Sequence, residues 1–116
     1  MAIEIPKGAE EEVAKLQQYQ QQYQMLGMQK QNIQNQLIEM NHSLEELKKL
    51  GEQETYEIVG AVMIKKGKEE LIISLSEKMQ SLELRDSVIS KQIDKIYGKM
   101  NEAQEKVMKM VKGGKK

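Results

Sequence analysis

Apolar residues in the first half of this chain recur at alternating intervals of three and four. Leu16, Tyr19, Tyr23, Leu26, Ile33, Leu37, Met40, Leu44 and Leu47 keep that spacing, and Lys30 is the single polar member of the row. Such a row is one narrow stripe on a helix, enough to pack against one partner helix and too little to sit at the centre of a globule. The second half repeats it with Leu75, Met79, Leu82, Asp86, Ile89, Ile93, Ile96, Met100, Ala103, Val107 and Met110, where Asp86 is the polar member. Glu10, Glu11 and Glu12 open the first helix and Lys48 and Lys49 close it, while Glu69 and Glu70 open the second. These charges complement the helix dipoles. Each helix has roughly 40 residues and a length of about 60 Å at ~1.5 Å per residue.

The punctuation between the helices is dense. Pro6 and Gly8 precede the first helix, Gly51 ends it, and Gly67 precedes the second. Between them, Thr55-Tyr56-Glu57-Ile58-Val59 and Val62-Met63-Ile64-Lys65-Lys66 flank Gly60-Ala61. Two β-branched runs around a glycine-containing pair predict a β-hairpin with a tight turn; a short helical connector is the alternative. The expected fold is mainly α: a long antiparallel coiled-coil helical hairpin with one small β-hairpin at the connecting end. Residues 1–116 are read as a single domain, with a helix over about 9–50, a β-hairpin over about 54–66, a helix over about 68–112 and a basic tail over 113–116. The hairpin sets Leu47 near Leu75, Ile33 near Ile89 and Tyr19 near Ala103, up to a slip of one heptad.

Composition removes whole classes of function. The 116 residues include no Cys, Phe or Trp and a single histidine, His42. Thiolate metal sites, iron–sulfur clusters and thiol nucleophiles are excluded, and multi-histidine metal sites with them. No enzyme activity, metal or cofactor is expected, and no nucleotide-binding glycine loop is present. Eighteen basic and eighteen acidic side chains cancel and are intermixed, so no basic stripe for nucleic acid is predicted. The longest apolar runs are about four residues, far short of the ~20 that span a bilayer. With no secretory signal in view, a soluble, cytoplasmic protein is expected.

An isolated two-stranded hairpin is marginal in water and leaves both edges unpaired. Tyr56, Ile58, Val59, Gly60, Val62, Met63 and Ile64 are therefore expected to drive assembly, by completing a sheet or closed barrel with other subunits. Thr55 to Lys65, Lys68-Glu69-Glu70-Leu71, Leu82-Glu83-Leu84-Arg85 and Lys91-Gln92 together resemble the β-class subunits of prefoldin, the archaeal form most closely. The resemblance in layout covers nearly the whole chain. It implies an ATP-independent molecular chaperone, a hetero-hexamer of two α-class and four β-class subunits. Its hairpins would form a double β-barrel, and its coils would hold unfolded or nascent polypeptide at their free ends and pass it to a group II chaperonin.

The distal end of the coil is the candidate client site. Val13, Leu16, Tyr19 and Tyr23 meet Val107, Met108, Met110 and Val111 there, and Met108 and Val111 fall off the seam row. Methionine adapts to many shapes, and helix ends fray. By spacing alone these residues serve equally as ordinary seam packing; the family resemblance favours client binding. A structural or adaptor coiled coil with a fixed folded partner is the competing function.

Other signals reduce to structure. Lys30 and Asp86 interrupt the seams as register devices, with a flexible point as the alternative reading. His42 is a solvent-facing helical residue, and Asn41-His42-Ser43 is a chance glycosylation match. Glu45-Glu46 and Glu69-Glu70 lie on a solvated face. The glutamine-rich run from Gln17 to Gln24 is polar helix surface, with uncharged contacts to a client as a minor role. The terminal lysines solubilise the tail.

Overall fold

The computed structural model describes residues 8–113; of the basic tail expected over 113–116, Gly113 belongs to the second helix and residues 114–116 lie outside the described residues. The elements are α1, Ala9–Lys49; β1, Thr55–Val59; β2, Val62–Lys66; and α2, Lys68–Gly113. Two compact units are formed: the described part of Met1–Lys30 with Val88–Lys116, and Gln31–Ser87. Each long helix contributes a length to both. Every residue of the two seam rows is buried or half-buried except Tyr23, which is 37% exposed.

In the first unit the helices run antiparallel. Lys30 meets Ser90, the rings of Tyr23 and Tyr97 lie 6.1 Å apart, and Lys99 Nζ stands 5.9 Å from the centre of the Tyr19 ring. Ala9, Ile89 and Ala103 are buried. Gly8 immediately precedes α1 at φ +103, in the left-handed region that glycine enters without a Cβ penalty. Its carbonyl accepts from the Glu12 amide at 3.3 Å.

The second unit holds the end of α1, both strands and the start of α2. Ile33 is buried, and Leu37, Met40, Leu44 and Leu47 share the half-buried seam class with Leu75, Met79 and Leu82. Asp86 interrupts that seam with a carboxylate oxygen that is buried and unpartnered among the described residues. Lys68 Nζ donates to the Leu50 carbonyl at 2.5 Å, tying the start of α2 to the chain just past α1. The Gly67 carbonyl accepts from Leu71 at 3.0 Å, so α2 opens on a glycine that supplies no side-chain cap.

Candidate functional site

The hairpin is built on its turn. Gly60 has φ +60 and, among the described residues, no non-glycine residue has positive φ, a combination that fits a two-residue turn with glycine first. That turn sets the register: Val59 opposite Val62, Ile58 opposite Met63, Glu57 opposite Ile64, Tyr56 opposite Lys65 and Thr55 opposite Lys66. Because facing residues share a side and sides alternate, Tyr56, Ile58 and Met63 gather on one face. Val59, Val62 and Ile64 gather on the other.

All six of those side chains are exposed, Ile58 to 72% and Met63 to 64%. Among the described residues the sheet has only these two strands, so each also leaves one edge unpaired there. Polar contacts hold the base of the pair. Thr55 is buried and its hydroxyl donates to the Lys66 carbonyl at 2.5 Å. Lys66 Nζ pairs with Glu57 at 2.5 Å. Glu54 accepts from the Tyr56 hydroxyl at 2.7 Å and from Lys65 Nζ at 3.1 Å.

These contacts move the local acid–base equilibria. The Tyr56 hydroxyl, then the Lys65 ammonium, hold the Glu54 carboxyl below the usual range. The Lys66 hydrogen bond does the same for Glu57. Conversely, bonding to Glu54 raises the Tyr56 phenol, and bonding to Glu57 raises Lys66. The cluster is a clasp between strands, and Glu54, Thr55, Lys65 and Lys66 also line an open cleft of about 280 Å³ at the base of the hairpin.

The distal residues singled out by sequence all lie in the first unit. Val13, Leu16, Tyr19, Val107, Met110 and Val111 are half-buried, while Tyr23 and Met108 are exposed. Most of the expected client surface is thus shared with the seam, and Met108 is its most open member at 52%. Sequence reasoning passed over Met25, Met28 and Tyr97, which are exposed in the same unit. Their signal was available: large apolar side chains off the 3–4 row have no seam to enter. Glu12 was also missed. It continues the row four residues before Leu16, is only 14% exposed, and pairs with Lys15 at 3.6 Å.

Two clefts flank this seam on one side. Gln22, Met25, Leu26 and Gln29 line the first with Gln92, Lys95 and Ile96, around a volume of about 300 Å³. Lys15 and Tyr19 share the second with Lys99, Glu102, Ala103 and Lys106, so Tyr19 and Ala103 do come together. Among the described residues no three His, Asp or Glu side chains converge to hold a metal, and no helix is long and apolar enough to cross a membrane.

Comparison with known proteins gives a consistent picture. A family model described as prefoldin subunit matches residues 10–114. A prefoldin subunit beta of Methanosarcina acetivorans is 37% identical over 108 residues, covering 92% of each chain. One from Pyrococcus furiosus is 36% identical over 104 residues, covering 89% of each. The crystal structure of the prefoldin beta subunit from Thermococcus strain KS-1 matches with a TM-score of 0.86 and 29% identity, over 95% of this chain and 97% of that one.

Proposed function

Since the chain belongs to the family of prefoldin β subunits, a family of chaperone subunits, we propose that it captures unfolded or nascent polypeptide without ATP and delivers it to a group II chaperonin. It does so in the cytoplasm as one of four β-class copies in a hexamer with two α-class subunits. The hairpin residues Tyr56, Ile58, Val59, Gly60, Val62, Met63 and Ile64 join the subunits. The distal residues Val13, Leu16, Tyr19, Tyr23, Val107, Met108, Met110 and Val111 hold the client.

The observation that carries this reading is the hairpin, apolar and exposed on both faces with both edges open. A surface of that kind is an aggregation hazard unless a partner covers it. Assembly with other prefoldin subunits supplies the cover, and repeated coil ends then add weak client contacts through high effective concentration.

The test is twofold. The chain mixed with an α-class subunit is expected to give a hexamer by native mass spectrometry and to suppress aggregation of a denatured protein. Removing Met1 to Leu16 and Val107 to Lys116 is expected to leave the assembly intact and abolish suppression. A trimmed complex that protects equally well would overturn the assignment of the coil ends. Saturable binding to one native protein, with indifference to denatured ones, would favour an adaptor instead.

A further inference from the structure

The two sides of the first unit's seam differ in charge. On the side of the clefts, Lys15 lies with Lys99, Glu102 and Lys106, and Lys95 lines the neighbouring cleft. On the other side the α1 positions flanking the seam are Val13, Gln17, Gln20 and Gln24, at helical spacings of four, three and four. On α2 that side is marked by Tyr97, whose ring meets Tyr23, and continues at the same spacing through Asn101, Gln104, Met108 and Val111. None of these nine residues is charged. The nearest charges on that side are Glu10 and Asp94, one at each end of the stretch. Gln17, Gln20, Gln24, Asn101 and Gln104 are all exposed, as are Tyr97 and Met108.

We propose that this uncharged side is the client-contact face, taking a neutral, apolar-containing segment of non-native polypeptide along its carboxamides, Tyr97 and Met108. The inference rests on the chaperone reading above and extends the contact surface from the coil's end along one side. Its physical basis is a match of polarity. An unfolded segment brings backbone amides that lose water on docking, and charged partners lose far more. Lysines and glutamates on the cleft side must be stripped of hydration before a neutral segment can lie on them. Carboxamides carry both donors and acceptors, so they satisfy either the N–H or the C=O of an extended backbone whatever its sequence. Tyr97 and Met108 then supply apolar area of adaptable shape. A face of this composition discriminates non-native from native chains by the availability of backbone. Its binding is also nearly indifferent to salt, because no ion pair is formed.

The test uses the full chain in its assembly with α-class subunits and a permanently unfolded probe, reduced lactalbumin whose cysteines are capped as neutral carboxamidomethyl groups, carrying a fluorophore. One variant combines Gln17→Glu, Gln20→Glu and Gln104→Glu on the uncharged side. The other combines Gln18→Glu, Gln22→Glu and Gln92→Glu on the cleft side, where all three positions are also exposed. The first is expected to weaken probe binding about tenfold or more and the second less than about twofold, since only the first sets charge against the docked backbone. Wild-type affinity is expected to change less than about threefold between roughly 0.05 and 0.5 M salt. Equal affinities for both variants would overturn this face and leave the chaperone reading standing. So would a change of assembly mass confined to the first variant, which would assign the face to a neighbouring subunit. Failure of the wild-type assembly to bind the probe at all would overturn the chaperone reading and this inference together.

Discussion

Lys30 donates a 2.6 Å hydrogen bond from its ammonium group to Ser90 Oγ across the seam of the helix pair. Both residues are half-buried, and Lys30 occupies a position that the apolar row would otherwise fill. A polar layer of this kind gains little stability and penalises every register in which the two residues fail to meet.

Lys30→Leu is therefore expected to raise stability while loosening register. Burying a leucine contributes about 1.5–3 kcal/mol, against about 0.5–1.5 kcal/mol for the lost hydrogen bond. The net gain of about 1 kcal/mol is read as a higher thermal midpoint. Paired spin labels on the two helices are expected to show a broader distance distribution than in the wild type.

Asp86 offers a contrast, since one of its oxygens is buried without a partner among the described residues. Asp86→Leu removes an unsatisfied group as well as adding apolar area, so its gain is expected to exceed that of Lys30→Leu, at about 2 kcal/mol or more. Urea unfolding of the two variants side by side checks the order; the reverse order would mean that Asp86 is satisfied in solution.

Gly60 at φ +60 sets the hairpin register from its turn. Gly60→Val places a β-branched residue in the left-handed region, at a cost of about 1–2 kcal/mol or more. Amide exchange across Tyr56 to Ile64 is expected to accelerate and assembly to weaken, with helix content unchanged by circular dichroism.

Exposed apolar pairs on the hairpin are expected to matter only in the assembly. Ile58 and Met63 face each other on one side of the strands. Replacing both by threonine keeps β propensity and a favourable cross-strand pair. The stability of the lone chain is expected to change by less than about 0.5 kcal/mol, while the assembly dissociates at concentrations where the wild type is intact. Unchanged assembly by native mass spectrometry would remove these two residues from the interface.

The strand clasp is expected to open at both ends of the pH scale. Glu54 and Glu57 titrate below the ordinary carboxylate range in the folded hairpin. Their contribution is fully present above the unfolded value of about 4.3 and is lost as pH falls through the depressed folded values. Lys66 and Tyr56 are raised, so their contributions hold below about pH 10 and are lost as pH climbs through the raised folded values. Amide exchange at Ile58, corrected for its intrinsic pH dependence, is expected to show protection between those limits. Glu57→Gln is expected to remove much of the acid limb.

The helices and their seams were legible because periodicity is a property of one helix. Leu16 through Leu47 and Leu75 through Met110 declare their buried stripe whatever lies opposite, and Tyr23 alone among them is exposed. The turn was legible too, since Gly60 is one of the few residue types that tolerates positive φ. Ser90 was not legible as the partner of Lys30. It flanks the row instead of belonging to it, and a slip of one heptad preserves every 3–4 interval while changing every neighbour. Glu12 was hidden for a different reason: a carboxylate breaks the apolar pattern even where the geometry continues it.

By itself, then, the order of residues determined two amphipathic helices, the strand pair between them and the apolar groups that a single chain leaves in water. Those outcomes depend on torsional preference and on spacing within one element. Only the tertiary structure decided that Lys30 meets Ser90, that Thr55 is buried beneath the clasp, and that the charges flanking the distal seam collect on one side. Each of those is a relation between elements, set by the register in which many individually weak contacts are satisfied together.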